Sequence, residues 1–96
     1  MVITEKNVED YLKIKVEDAG GMYIKLPAIY TEGIPDRLIL MPGGKLAFAE
    51  LKRPKGGSLS ALQRDYWLPK LTRLGFVARR VRNYEEADDL VWELQR

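Results

Sequence analysis

The segment from Asp36 to Lys52 constrains this chain more than any other. Two apolar runs, Asp36 to Met41 and Lys45 to Lys52, flank Pro42-Gly43-Gly44, a turn signature between strand-like stretches. The reading is a β-hairpin, so the fold must build a sheet around this pair. Strand side chains alternate between faces, which places Leu46, Phe48, Glu50 and Lys52 together. Glu50 follows Leu46, Phe48 and two alanines, a setting in which an unpartnered carboxylate is expensive.

Other elements surround the hairpin. From Thr4 to Ala19, Val8, Tyr11, Leu12, Val16 and Ala19 recur at helical spacing, and Gly20-Gly21 supplies a stop. At roughly 100° per residue, Glu5 falls inside that apolar stripe and Glu9 at its margin. Met22 to Leu26 reads as a short strand, and Pro27 to Pro35, with Gly33 and its prolines, as a loop. After the hairpin comes a basic loop, Arg53 to Ser58, then a helix capped by Ser60 with Gln63 closing the box and ending near Gly75. Pro69 inside this helix predicts a kink or an early break. Phe76 to Val81 is a fourth strand, and Asn83 with Glu86 starts a last helix whose stripe is Ala87, Leu90, Val91 and Leu94.

The order is helix, three strands, helix, strand, helix: an α/β fold with a four-stranded mixed sheet flanked by helices, in one domain over residues 1–96. No repeat or linker divides it. At 96 residues with 46% hydrophobic and 31% charged positions, the chain has an ordinary globular balance.

Absences narrow the chemistry. Without cysteine there are no disulfides, thiolate metal sites or thiol nucleophiles; without histidine the usual general base and the commonest zinc ligand are gone. Catalysis must come from carboxylates, lysine, hydroxyls or a hard metal held by oxygens. No secretory leader or membrane-length apolar run is evident, so the expectation is a cytoplasmic protein without a membrane partner. A net charge of +2 from sixteen Lys and Arg against fourteen Asp and Glu permits nucleic acid as a partner without demanding it.

The hairpin supplies the constellation. Glu50 and Lys52 share a face about 7 Å apart along their strand, and Asp36 starts the neighbouring antiparallel strand, where register brings it opposite Glu50. Two acids and one amine then converge at a strand end. That grouping suits Mg2+ or Mn2+, with Asp36 and Glu50 as ligands and Lys52 placed to position or deprotonate an attacking water.

The pattern Pro-Asp, hairpin, Glu-x-Lys resembles the PD-(D/E)XK nuclease superfamily. More closely, GIPDRLILMPGGKLAFAELKRPKGGSLSALQ resembles the VRR-NUC domains found alone in phages and bacteria and fused to larger repair nucleases. A glutamate in the amino-terminal helix, Gly20-Gly21, Lys25 and Leu74-Gly75 extend the likeness over nearly the whole chain. The resemblance implies a restriction-endonuclease-like core and metal-dependent hydrolysis of DNA phosphodiesters. It also implies the Leu51 carbonyl as a further ligand, Lys52 as the catalytic lysine, and supporting roles for Gln63 and for Glu5, with Glu9 as second candidate. Standalone members, by the same resemblance, act as homodimers on four-way junctions.

Plainer readings stand beside these. Asp36 after proline suits a turn, Glu50 and Lys52 a solvated strand face, and Gln63 a capping box alone. Lys25, Arg37, Arg53 and Lys55 are candidate phosphate contacts; Arg79, Arg80 and Arg82 are solvated or generic ones. Trp67 and Trp92 belong to the core or to a dimer interface. The functional expectation is a DNA endonuclease selective for branched structures. The alternatives are a flap or nick nuclease, or a catalytically silent binding module on the same fold.

Overall fold

Thr4 and Gly20 bracket the first helix. In the computed structural model, which describes residues 2–27 and 31–96, α1 spans Glu5–Asp18. The Thr4 hydroxyl accepts from the Asn7 N–H at 3.1 Å while the Asn7 side chain accepts from the Thr4 N–H at 2.9 Å. This reciprocal cap satisfies two of the four amide donors that every helix start leaves unpaired. At the other end Gly20 takes φ 84°, and the Gly20 and Gly21 amides donate to the Glu17 and Val16 carbonyls at 3.0 and 2.9 Å. Glycine adopts that left-handed conformation without the Cβ penalty, which is why the helix stops here.

Three strands follow, β1 (Met22–Lys25), β2 (Arg37–Met41) and β3 (Lys45–Leu51). Residues 28–30 of the expected Pro27–Pro35 loop lie outside the described residues. β2 and β3 form the expected hairpin, antiparallel with Arg37 opposite Ala49 and Met41 opposite Lys45. β1 pairs antiparallel with β2. β4 (Val77–Val81) adds parallel to β3, giving a mixed sheet in the order β1-β2-β3-β4.

The odd-numbered face of the hairpin carries the core. Ile39, Ala47, Ala49 and Leu51 are fully buried beneath Val8, Leu12 and Val16 of α1 and Ala87, Leu90 and Leu94 of α3 (Tyr84–Gln95). Each fully buried aliphatic side chain stabilises the fold by roughly 1.5–3 kcal/mol. On the opposite face Phe48 meets Phe76 edge to face, with centroids 5.8 Å apart. α3 begins at Asn83, whose side chain accepts from the Glu86 N–H at 2.7 Å, and Glu86 reaches back to the Arg82 N–H at 3.0 Å.

Pro69 leaves its mark one turn upstream of itself. Residues 61–73 are helical, but Gln63–Trp67 is wound as a π-helix before α2 (Leu68–Arg73) resumes with Pro69 in its first turn. Proline lacks the amide that would bond four residues back, and its ring would collide with that carbonyl. A wider turn, in which Leu68 donates to the Gln63 carbonyl, removes both problems. α2 ends at Gly75 (φ 97°), where Phe76 donates to Leu71 and Gly75 to Thr72, each at 3.0 Å. Among the described residues no helix is long and apolar enough to cross a membrane.

Candidate active site

Asp36 and Glu50 meet at the open end of the hairpin. Asp36 stands one residue before β2, just past the Arg37–Ala49 pair, and its carbonyl accepts from the Leu26 N–H at 2.8 Å. Pro35 ahead of it is buried. Glu50, next to last in β3, is only 3% exposed. The Asp36 N–H donates to Glu50 Oε1 at 3.1 Å, and the Leu51 N–H donates to Asp36 Oδ1 at 3.2 Å. Each carboxylate is thus held by backbone from its neighbour's strand.

Lys52 lies immediately beyond β3, its N–H donating to the Val81 carbonyl at 3.0 Å. Its Nζ stands 3.3 Å from Glu50 Oε2. Burial pushes the Glu50 carboxyl above its ordinary value, and the like charge of Asp36 adds to that; Lys52 and the Asp36 amide oppose without cancelling it. Two acids crowded in this way, one of them buried, favour either a proton or a cation between them. The donor set is all oxygen, and a pair of carboxylates with room for water and phosphate matches what Mg2+ or Mn2+ takes. Among the described residues no group of three or more His, Cys, Asp or Glu side chains is placed to hold a metal ion; Asp36 and Glu50 are a pair of oxygen donors linked through each other's backbone.

Glu5 and Glu9 of α1 change places relative to the sequence expectation. Glu9, expected at the margin of the stripe, is buried at 7% exposure, whereas Glu5, expected inside it, is exposed. Angular phase was not at fault. Glu5 is the first helical residue, with no preceding turn to cover it, so facing the right way does not bury it. Glu5 nevertheless lines a small cleft of about 250 Å³ with Lys52, Arg53, Gly56, Gly57 and Ser58.

Glu9 is engaged elsewhere. Its Oε2 takes the Arg37 guanidinium and lies 3.3 Å from Lys25 Nζ and 3.4 Å from the Tyr23 hydroxyl. Burial alone would raise its pKa, but hydrogen bonds from Arg37 and Lys25 outweigh that and hold it at about 2. Arg37, expected as a phosphate contact, has a side chain only 12% exposed that pairs with Glu9 and Asp36. Alternation along β2 carried this signal, because Arg37 shares the buried face of Ile39 and Met41.

Among the other candidates, Gln63 closes the expected capping box, with Oε1 accepting from the Ser60 N–H at 3.2 Å and its own N–H donating to the Ser60 hydroxyl at 3.2 Å. Lys25 is mostly solvent-exposed despite its ion pair. Lys55 is exposed, and Arg53 turns its guanidinium back onto the Lys55 and Gly56 carbonyls at 2.8 and 3.3 Å. Arg79 and Arg82 pair with Glu93 and Glu86. Trp67 donates Nε1–H to the Glu32 carbonyl at 2.9 Å, tying the π-helical turn to the loop that leads into Asp36. Trp92 is 61% exposed under the Arg96 guanidinium and so is not a core residue. A wider concavity, about 640 Å³ between Gly44, Phe76, Val77 and Glu93, opens at the turn end of the hairpin. Its ionisable lining is Lys45, Glu93 and Arg96, one acid among cations, without the paired acids of the other end, and chemistry outweighs volume in choosing between them.

No family model matches the chain. A relative named "Putative nuclease p44", from Acyrthosiphon pisum secondary endosymbiont phage 1, is 38% identical over 53 residues. That match takes in 55% of this chain and 57% of the relative, little more than half the length of each. A solved structure described as a VRR_NUC domain superposes with a TM-score of 0.79 at 27% identity, covering 92% of this chain and 94% of that one.

Proposed function

The chain is VRR-NUC-like along nearly its whole length, and on that premise we propose that it is a metal-dependent nuclease hydrolysing phosphodiester bonds in DNA. The observation that carries the reading is the exchanged pair of backbone hydrogen bonds between Asp36 and Glu50, with Lys52 Nζ 3.3 Å from Glu50. Asp36 and Glu50 would hold Mg2+ or Mn2+, with the Leu51 carbonyl as a further ligand. When bound, the ion supplies Lewis acidity toward the phosphate and lowers the pKa of water.

The protein's own residues do the rest. Glu50 and Asp36 are fixed before substrate arrives, so no reorganisation is needed to present their oxygens. Lys52 beside Glu50 orients the attacking water and offsets charge gathering on the phosphate oxygens. The cleft shared by Glu5, Lys52, Arg53 and Ser58 is assigned as the approach for the scissile phosphate, and Lys25, Arg53 and Lys55 are assigned as phosphate contacts. Gln63 is assigned to support the site from the start of the helical run.

The finer reading is a homodimer that cuts four-way junctions. Its support is the sequence likeness to standalone VRR-NUC domains and the exposed apolar surface at Trp92. A twofold dimer would supply paired sites for two symmetrical cuts.

Labelled junction, flap, nicked and linear duplex DNAs, incubated with Mg2+, Mn2+ or a chelator, test both levels. Metal-dependent cleavage strongest on the junction, by a species of twice the chain mass in light scattering, supports the whole reading. Equal cutting of every substrate by a monomer removes the junction assignment, and no cleavage under any metal condition removes the nuclease assignment.

A further inference from the structure

Arg37 joins the first helix to the candidate metal site. Its Nη2 donates to Glu9 Oε2, its Nε to the Tyr23 hydroxyl at 2.6 Å, and its Nη1 lies 2.9 Å from Asp36 Oδ2 and 3.2 Å from the Asp36 carbonyl. A guanidinium is a rigid planar fork, so three partners on different edges fix it in one pose. We propose that Arg37 is a positioning residue that orients the Asp36 carboxylate, and that Glu9 serves the site through Arg37 and not as a metal ligand. The inference rests on the metal site proposed above.

Two donors fix Asp36. The Leu51 N–H holds Oδ1 and Arg37 holds Oδ2. An ionised carboxylate has about four acceptor positions, so both oxygens keep capacity for a cation while rotation of the side chain is stopped. Without Arg37 a single backbone contact would remain, and the half-exposed Asp36 could swing into solvent.

Glu9 is committed on both oxygens: Oε2 to Arg37, Lys25 and Tyr23, and Oε1 to Lys6 at 3.3 Å. To ligate an ion it would have to release Arg37, stranding a buried guanidinium beside the incoming cation, an expensive arrangement. Glu9 and Arg37 also lie on the α1 side of the sheet, since Arg37 is paired with buried Ala49, whereas Glu50 and Lys52 belong to the other face. Asp36, at the strand end, is the one acid that both groups reach.

The test exploits a conflict of sign. As a bare positive charge near a cation site, Arg37 would weaken metal binding by repulsion, and its removal would tighten it. As a positioning residue it strengthens binding, and residues that orient metal ligands typically contribute about 10–100-fold in affinity. Mn2+ is titrated calorimetrically into the wild type, Arg37→Gln, Arg37→Lys, Glu9→Gln, the Glu9→Gln/Arg37→Gln double variant and Asp36→Asn, with melting curves for each. The double variant removes both charges and leaves neither buried alone, so it reports on the coupling even if Arg37→Gln folds poorly.

The expected result is Mn2+ affinity at least about tenfold weaker in Arg37→Gln, little rescue by lysine, and a double variant no weaker than Arg37→Gln. The kcat on DNA falls with these losses while KM for DNA holds. Unchanged or tighter binding in Arg37→Gln, beside loss in Asp36→Asn, overturns the positioning role and leaves the metal site standing. Losses from Glu9→Gln and Arg37→Gln that multiply in the double variant overturn it too, because Glu9 then acts independently. A wild type that binds no Mn2+ removes the metal site itself, and the positioning role with it.

Discussion

Asp36 and Glu50 are joined through each other's backbone: the Asp36 amide donates to the Glu50 carboxylate at 3.1 Å, and the amide after Glu50 donates to the Asp36 carboxylate at 3.2 Å. The pair is therefore a product of hairpin register. A one-residue slip would turn Glu50 into the core and separate the two acids.

Asp36→Asn and Glu50→Gln should each abolish cleavage with the fold retained, since either amide oxygen can still accept the backbone hydrogen bond. Their stabilities should differ in a telling way. Glu50 has its carboxyl pKa raised in the folded state by burial and by Asp36, so its stabilising contribution is full below the unfolded value and is lost as pH rises through the folded one. At neutral pH without metal, Glu50→Gln should melt at or above the wild type, and the difference should shrink in acid. Thermal melts across pH in chelator provide the check.

Glu9 should behave in the opposite sense. Its pKa is lowered from 4.5 to about 2, so the stability it contributes is present above the unfolded value and is lost as pH falls from about 4.5 toward 2. The contribution is on the order of 2 kcal/mol, discounted because Lys25 and Lys6 are solvated and screened. Denaturant titrations at several acid pH values should show this loss in the wild type and not in the Glu9→Gln/Arg37→Gln protein.

Gly33, in the loop that delivers Asp36, holds φ 82°, and a Cβ there would stand 2.5 Å from Leu62 Cδ2. Gly33→Ala should destabilise the protein by about 1–3 kcal/mol through backbone strain and this clash. Cleavage should fall with it, because the displaced Leu62 belongs to the helical run that Trp67 ties to the same loop. Melting temperature and single-turnover rate, measured on the same preparation, should decline together.

Glu5→Gln should slow cleavage without moving the melting temperature, since Glu5 is exposed yet lines the cleft with Lys52. Glu9→Gln should lower both. Equal melting temperatures for the two variants would contradict the burial assigned to Glu9.

The hairpin, its register and the Asp36–Glu50–Lys52 grouping were legible in the sequence because they depend on local rules: a Pro-Gly-Gly turn and period-two alternation. The glycine stops of α1 and α2 were legible for the same reason. Which α1 glutamate is buried was not, because Glu5 and Glu9 point to similar sides and only the position of the helix along the sheet separates them. Arg37 lay between these cases. Its alternation with Ile39 and Met41 pointed inward, but an arginine beside the motif invites reading as a phosphate contact until its buried partner Glu9 is seen. At Pro69 the sequence indicated a kink or break; the structure instead winds Gln63–Trp67 as a π-helical turn just ahead of it, a choice among irregular turns that local rules do not distinguish.

In the proposed reaction Lys52, beside a carboxylate pair, drives metal-dependent phosphodiester hydrolysis. Single-turnover cleavage of end-labelled DNA by the wild type and Lys52→Ala, with Mg2+ and with chelator, tests it most directly. Wild-type cleavage should require the metal, and Lys52→Ala should be at least about 100-fold slower while still binding DNA. Cleavage by the wild type in chelator would rule out the metal's role, and cleavage by Lys52→Ala at the wild-type rate would rule out that of Lys52.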